Sequence, residues 1–179
     1  MRRTSYFALA ATLMLAVPAL AALKPGARAP DFTARASLGG KEFNYALSDE
    51  LKKGPVVLYF YPAAFTPGCT QEAHEFAEAV DKFAALGASV IGVSADDIDV
   101  LSKFSVSECR SKFPVAADAQ KDIMGAYDAV MPGRPEYANR TSYVIAPDGE
   151  IIYEYTALDA SGHVANTLAA VEKWKSAKK

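Results

Sequence analysis

Seven consecutive residues, Pro55-Val-Val-Leu-Tyr-Phe-Tyr61, constrain this 179-residue chain more than any other segment. A near-continuous run of β-branched and aromatic residues is the pattern of a strand buried on both faces. A turn rich in Pro and Gly follows. Beyond it Ala73, Phe76, Ala77, Val80, Phe83 and Ala84 recur at helical spacing, and Gly87 suits the helix stop. Ala88-Ser-Val-Ile-Gly-Val-Ser94 reads as a second buried strand.

The rest of the chain continues the alternation. Asp96 or Asp97 caps a helix through Ile98, Val100, Leu101 and Phe104. A short strand is expected at 113–117 and a helix around Ile123 to Val130. Ser142–Ala146 and Ile151–Tyr155, joined through Pro147-Asp148-Gly149, read as a hairpin, because Asp-Gly between apolar runs is a strong turn signal. Val164, Leu168, Val171 and Trp174 form the apolar stripe of a last helix, with Trp174 read as core packing. The order predicts one α/β sandwich around a mixed central β-sheet flanked by helices.

Composition narrows the function classes. Lys plus Arg number 19 against 21 Asp plus Glu, so the basic excess of a nucleic-acid binder is missing. Two cysteines are too few for a disulfide framework. The first residues are of another kind: Arg2 and Arg3, an apolar run from Tyr6 to Val17, then Pro18 and Ala19-Leu20-Ala21. Basic start, apolar middle and A-x-A end predict a cleaved signal peptide at 1–21 and a mature domain at 22–179. The run is short of the roughly 20 residues that a spanning helix needs, so no stable membrane association is expected. Loss of Arg2 and Arg3 with no acid takes the formal net charge from −2 to −4. The expected location is the periplasm, where disulfides persist.

Cys69 is the candidate nucleophile. In Thr66-Pro67-Gly68-Cys69-Thr70, Thr66 suits the helix N-cap and Pro67 the first helical position. Cys69 then sits in a first helical turn, where free N–H groups and the helix dipole favour a thiolate. The plainer reading, a small buried hydrophobe, is the common fate of a free cysteine.

Pro62, Thr66 and Cys69 in the spacing P-x-x-x-T-x-x-C, followed by Thr70 and Glu72, resemble the active-site loop of the peroxiredoxins. The version FTPGCTQE is similar to the bacterioferritin-comigratory, or Q-type, subfamily. The likeness covers the mature chain: Gly26-Ala-Arg-Ala-Pro-Asp-Phe32, Arg140-Thr-Ser-Tyr-Val-Ile with Asp148-Gly149, and Gly162-His163 all have counterparts. The resemblance implies a thioredoxin-like three-layer sandwich and a thiol-dependent peroxidase with no metal or cofactor, acting on hydrogen peroxide and organic hydroperoxides. It assigns Cys69 as peroxidatic nucleophile, Thr66 and Arg140 as donors to thiolate and peroxide, Pro62 as a shield from water, and Glu72 as the residue holding an arginine. Arg134 is a weaker substitute for Arg140. A thioredoxin- or glutaredoxin-like reductant and a monomer are expected.

One departure matters. Many Q-type members carry a resolving cysteine five residues after the nucleophile, and here that residue is His74, read as a surface position. The resemblance then points to Cys109 as resolver through an intramolecular Cys69–Cys109 disulfide. A one-cysteine enzyme with Cys109 structural remains open, as does a non-catalytic module stapled by the two cysteines. A disulfide exchanger would need C-x-x-C, which the sequence lacks. Cys69 and His74 point about 140° apart on a helix of ~3.6 residues per turn, so a shared metal is not expected.

Overall fold

A computed structural model describes residues 22–178; the expected signal peptide lies outside the described residues. Among these residues the sheet has seven strands, in the order β2 (Lys41–Ala46), β1 (Thr33–Leu38), β5 (Val115–Ala117), β4 (Ser89–Ser94), β3 (Val56–Phe60), β6 (Thr141–Ile145) and β7 (Ile151–Thr156). Its centre is the expected pair: β3 (Val56–Phe60) is buried throughout and runs parallel to β4 (Ser89–Ser94). Strand β5 (Val115–Ala117) continues the parallel set beside β4. On the other side β6 (Thr141–Ile145) runs antiparallel to β3, and β7 (Ile151–Thr156) pairs with β6 as the Asp-Gly hairpin. A register shift falls between Val144 and Ile145.

Strand periodicity divides the core in two. Val56, Leu58 and Phe60 point to one face, where α1 (Leu47–Leu51) and α4 (Asp122–Ala126) contribute Leu47, Leu51, Ile123 and Met124. Val57, Tyr59 and Tyr61 point to the other face. There α2 (Pro67–Ala85), α3 (Ile98–Ser107) and α5 (His163–Ala177) deliver Phe76, Phe83, Leu101, Phe104 and Val171. The architecture is the three-layer, thioredoxin-like α/β sandwich with a mixed sheet. Among the described residues no helix is long and apolar enough to cross a membrane.

Four details differ from the sequence pattern. Residues 33–51, to which the pattern assigns no element, form the short helix α1 and, before it, the hairpin of β1 (Thr33–Leu38) and β2 (Lys41–Ala46). Its turn is Gly39-Gly40, both at positive φ (57° and 78°), a conformation that glycine adopts without a Cβ clash. Helix α4 stops at Ala126 rather than Val130, because Asp128 turns left-handed (φ 51°) and Val130 bridges to Ala138. Asp97 occupies the N-cap of α3, yet its side chain makes no capping bond. Trp174 is half-exposed rather than core, in a cleft with Ile152 and Tyr153 and with Lys178 Nζ 5.9 Å from its ring.

Candidate active site

The loop leaving β3 is held at both ends. Tyr61 N–H donates to Val93 O (3.1 Å), which extends the sheet one residue past β3. Ala64 N–H and Ser94 Oγ both donate to Asp96 Oδ2 at 2.8 Å, so a residue expected as a possible helix cap instead anchors the loop. Phe65 takes a left-handed conformation (φ 62°) and lays its ring edge-on against Phe104, 5.2 Å between centroids. Pro62 is half-buried beneath this turn.

Helix α2 begins at Pro67, with Thr66 at the N-cap. Thr66 does not cap with its side chain: Oγ1 donates to Ala63 O (2.9 Å). The hydroxyl proton is thus committed, and its lone pairs face outward as acceptors. Cys69 occupies the first turn, where backbone N–H groups have no intrahelical acceptor, and is only 2% exposed.

Arg140 lies immediately before β6, almost wholly buried. Its Nη2 is 3.5 Å from Cys69 Sγ, its Nη1 is ion-paired with Glu72 Oε2, and its Nε donates to Leu158 O (2.9 Å). Each guanidinium nitrogen thereby has a partner, with one further N–H left on Nη1 and one on Nη2, and charge-assisted contacts of this kind fix orientation as well as charge. Gly68 makes the approach possible, since a Cβ there would stand 3.1 Å from Arg140 Nη2. Burial pushes the Glu72 carboxyl up to about 8, the Arg140 charge offsetting only part of the effect.

The structure thus gathers Cys69, Glu72 and Arg140 at one point, with Thr66 and Pro62 in the adjoining loop. Arg134 is elsewhere: it is exposed, 3.5 Å from Glu136 and stacked 4.4 Å from the Tyr137 ring. Cys109 follows the end of α3 and shares the buried cluster with Cys69, Tyr59, Tyr61, Phe104 and Phe113. Both cysteines are free thiols. Burial and the neighbouring Glu108 push the Cys109 thiol far above its usual range. His74 is a surface residue of α2, as expected, with Nε2 2.8 Å from Glu108 Oε2.

Sequence reasoning missed Asp96 as loop anchor, Gly68 as clearance for Arg140, and the buried His163 behind Glu72. Only Gly68 carried a usable signal, a glycine in a helical first turn with no positive φ to explain it.

Comparison with known proteins identifies the family. The sequence model of the AhpC/TSA family matches residues 25–154. A peroxiredoxin Bcp of Bacillus subtilis is 32% identical over 152 residues, 82% of this chain and 94% of the relative. A putative peroxiredoxin of Mycobacterium tuberculosis is 34% identical over 148 residues, 80% of this chain and 91% of the relative. The crystal structure of peroxidoxin BcpB from the same organism superposes with a TM-score of 0.77 at 31% identity, covering 84% of this chain and 97% of that one. The chain belongs to the AhpC/TSA family, as a peroxiredoxin of the Bcp/Q type, and is by that membership a thiol peroxidase.

Proposed function

We propose that Cys69 is the peroxidatic nucleophile and that Cys109 resolves the oxidised enzyme within one chain. The observation that carries this reading is the Arg140 guanidinium, 3.5 Å from a sulfur buried in the first turn of α2. The Cys69 thiolate attacks one oxygen of a hydroperoxide, the O–O bond breaks, and the sulfur becomes a sulfenic acid. The leaving oxygen departs with the bonding pair and takes a proton from solvent, giving water or an alcohol. Negative charge therefore moves from sulfur toward the leaving oxygen. Arg140 and the first-turn N–H groups line that path and stabilise the transition state more than the ground state. Thr66 Oγ1, its proton held by Ala63 O, accepts from the peroxide O–H and orients it. Pro62 and Phe65 narrow access for water.

The Cys109 thiol then displaces hydroxide from the sulfenic acid, forming the Cys69–Cys109 disulfide and water. A buried, protonated Cys109 must leave its aromatic cluster to do so, and its segment is built for release. Arg110 and Ser111 are consecutive non-glycine residues at positive φ (50° and 55°), a costly backbone. A thioredoxin- or glutaredoxin-like dithiol restores both thiols. The enzyme works in the periplasm after removal of residues 1–21, a reading supported by the leader pattern alone, and as a monomer, a reading supported only by the likeness to the Q-type subfamily.

Stopped-flow addition of hydrogen peroxide to the reduced 22–179 protein, with intact mass afterwards, tests the cycle. One disulfide within one chain is the expected product. The same burial that delays Cys109 also suits a one-cysteine enzyme, and a stable sulfenic or sulfinic product with Cys109 still reduced would favour that second reading. Export is tested separately by the N-terminal residue of the soluble periplasmic fraction, expected at Ala22 or Leu23.

A further inference from the structure

Glu72 satisfies only one of its carboxylate oxygens. Oε2 is taken by Arg140, while Oε1 is buried with no hydrogen-bond partner and faces His163 Nδ1 at 3.6 Å. His163 opens α5 and is fully buried. Its ring is held in one orientation: Nε2 lies 3.0 Å from Ala157 O, Nδ1 lies 2.8 Å from Ser142 Oγ, and Tyr155 meets it edge-on at 4.8 Å. A carbonyl only accepts, so Nε2 carries the hydrogen and the neutral ring presents a lone pair at Nδ1. No hydrogen then stands between Nδ1 and Glu72 Oε1. One added proton supplies it.

We infer that His163 is a positioning residue of this site, sharing with Glu72 a single proton that decides how much of the Arg140 charge is left for Cys69. Without that proton, Arg140, Glu72 and a Cys69 thiolate sum to one negative charge in a buried cluster. With it they sum to zero, and the thiolate is favoured. Burial raises the Glu72 carboxyl and lowers the His163 imidazole, so the proton resides on Oε1 and points at Nδ1, with the Ser142 hydroxyl rotating aside. The charged groups facing His163 are Glu72 from α2, Arg140 from the segment before β6, and Asp159 from the connection after β7; Arg140 opposes a positive ring and Asp159 favours it. Ser142 of β6 and Tyr155 of β7 complete the neutral surroundings.

The inference rests on Cys69 being the peroxide-reacting thiol, and Cys69→Ser tests that separately through peroxide turnover. The His163 role is read from thiolate absorbance at 240 nm against pH, without peroxide, in a Cys109→Ser background with one titrating thiol. His163→Gln reproduces the Nε2 bond to Ala157 O but offers nothing at Nδ1; His163→Asn does the reverse. His163→Gln is expected to raise the Cys69 midpoint by about one unit, tenfold less thiolate below it, while His163→Asn restores it. The opposite ranking, or no shift in either, overturns the inference in favour of simple helix docking. The unaltered protein gives a second readout that needs no His163 variant. Its Nδ1 nitrogen resonance should titrate, with a midpoint that falls in Cys69→Ser because linkage is reciprocal. A flat Nδ1 resonance, or the same midpoint in both proteins, overturns it equally.

Discussion

His74 Nε2 lies 2.8 Å from the Glu108 carboxylate, so the residue five places after Cys69 grips the residue immediately before Cys109. Two further ion pairs continue the contact along α2: Glu78 with Arg110 at 3.1 Å and Asp81 with Lys112 at 3.7 Å. Three alternate residues around Cys109 are thereby tied to the helix that carries Cys69. Each pair is partly exposed and modest in strength, and under the proposed resolution step all three part as Cys109 leaves its cluster.

Loosening this ladder should therefore speed resolution without touching peroxide attack. Glu78→Lys is expected to raise the rate of disulfide formation roughly threefold to tenfold, and added salt should act in the same direction. Rapid acid quench followed by intact mass, which resolves sulfenic acid formation from the later disulfide phase, measures it. Identical second phases in both proteins would refute the coupling.

Replacing the nucleophile or its hydrogen-bonding partners should strike the first phase. Cys69→Ser is expected to abolish peroxide reduction, Arg140→Met to slow it by about 10²–10³, the usual loss for one preorganised donor, and Thr66→Val, which removes the acceptor rather than a donor, to slow it less than Arg140→Met does. Residual turnover by Cys69→Ser would remove Cys69 from its role.

Gly68→Ala should separate activity from stability. An added Cβ stands 3.1 Å from Arg140 Nη2, so the guanidinium must shift away from Cys69. Alanine is meanwhile the better helix former by about 0.8–1 kcal/mol. The expected result is at least tenfold slower peroxide reduction with a change in unfolding stability of no more than about 1 kcal/mol, the helix-propensity gain offsetting the displacement of Arg140. A variant as fast as the parent would show that Arg140 has freedom the geometry denies it.

Cys109→Ser should keep the first oxidation, lose the disulfide and accumulate sulfinic acid at low peroxide, because no thiol captures the sulfenic acid. Mass spectrometry after graded peroxide reads the difference. Equal overoxidation with and without Cys109 would make this a one-cysteine enzyme.

Stability should fall as pH rises through the range set by Glu72. Its carboxyl titrates near 4.5 ordinarily and about 8 in the fold, so between these values the folded protein keeps a proton that the unfolded chain releases. The contribution is complete below pH 4.5 and lost as pH passes 8. Urea unfolding at pH 5 and pH 8 should show a larger drop for the parent than for Glu72→Gln, and parallel drops would contradict the raised carboxyl.

The chain's local order was written in its sequence because periodicity and turn chemistry act between near neighbours. β3, α2, β4, α3 and the β6–β7 hairpin followed from apolar spacing and from Pro, Gly and Asp-Gly stops, and Cys69 from its place in a first helical turn. The β1–β2 hairpin escaped because β2 is mostly exposed and its strands carry no strong apolar run, so only pairing beside β5 makes them strands. The Thr66 hydroxyl and Asp96 took partners outside their own helix starts, which no capping rule anticipates. The site itself was decided by tertiary structure. Arg140 reaches Glu72 across 68 residues and Cys69 across 71, and His163 stands behind them from another helix. The resemblance to a family named the first three residues, but their geometry, the clearance at Gly68 and the unpartnered Glu72 oxygen exist only where separate elements converge in a dry interior. There a missing hydrogen bond or an unbalanced charge has no water to correct it.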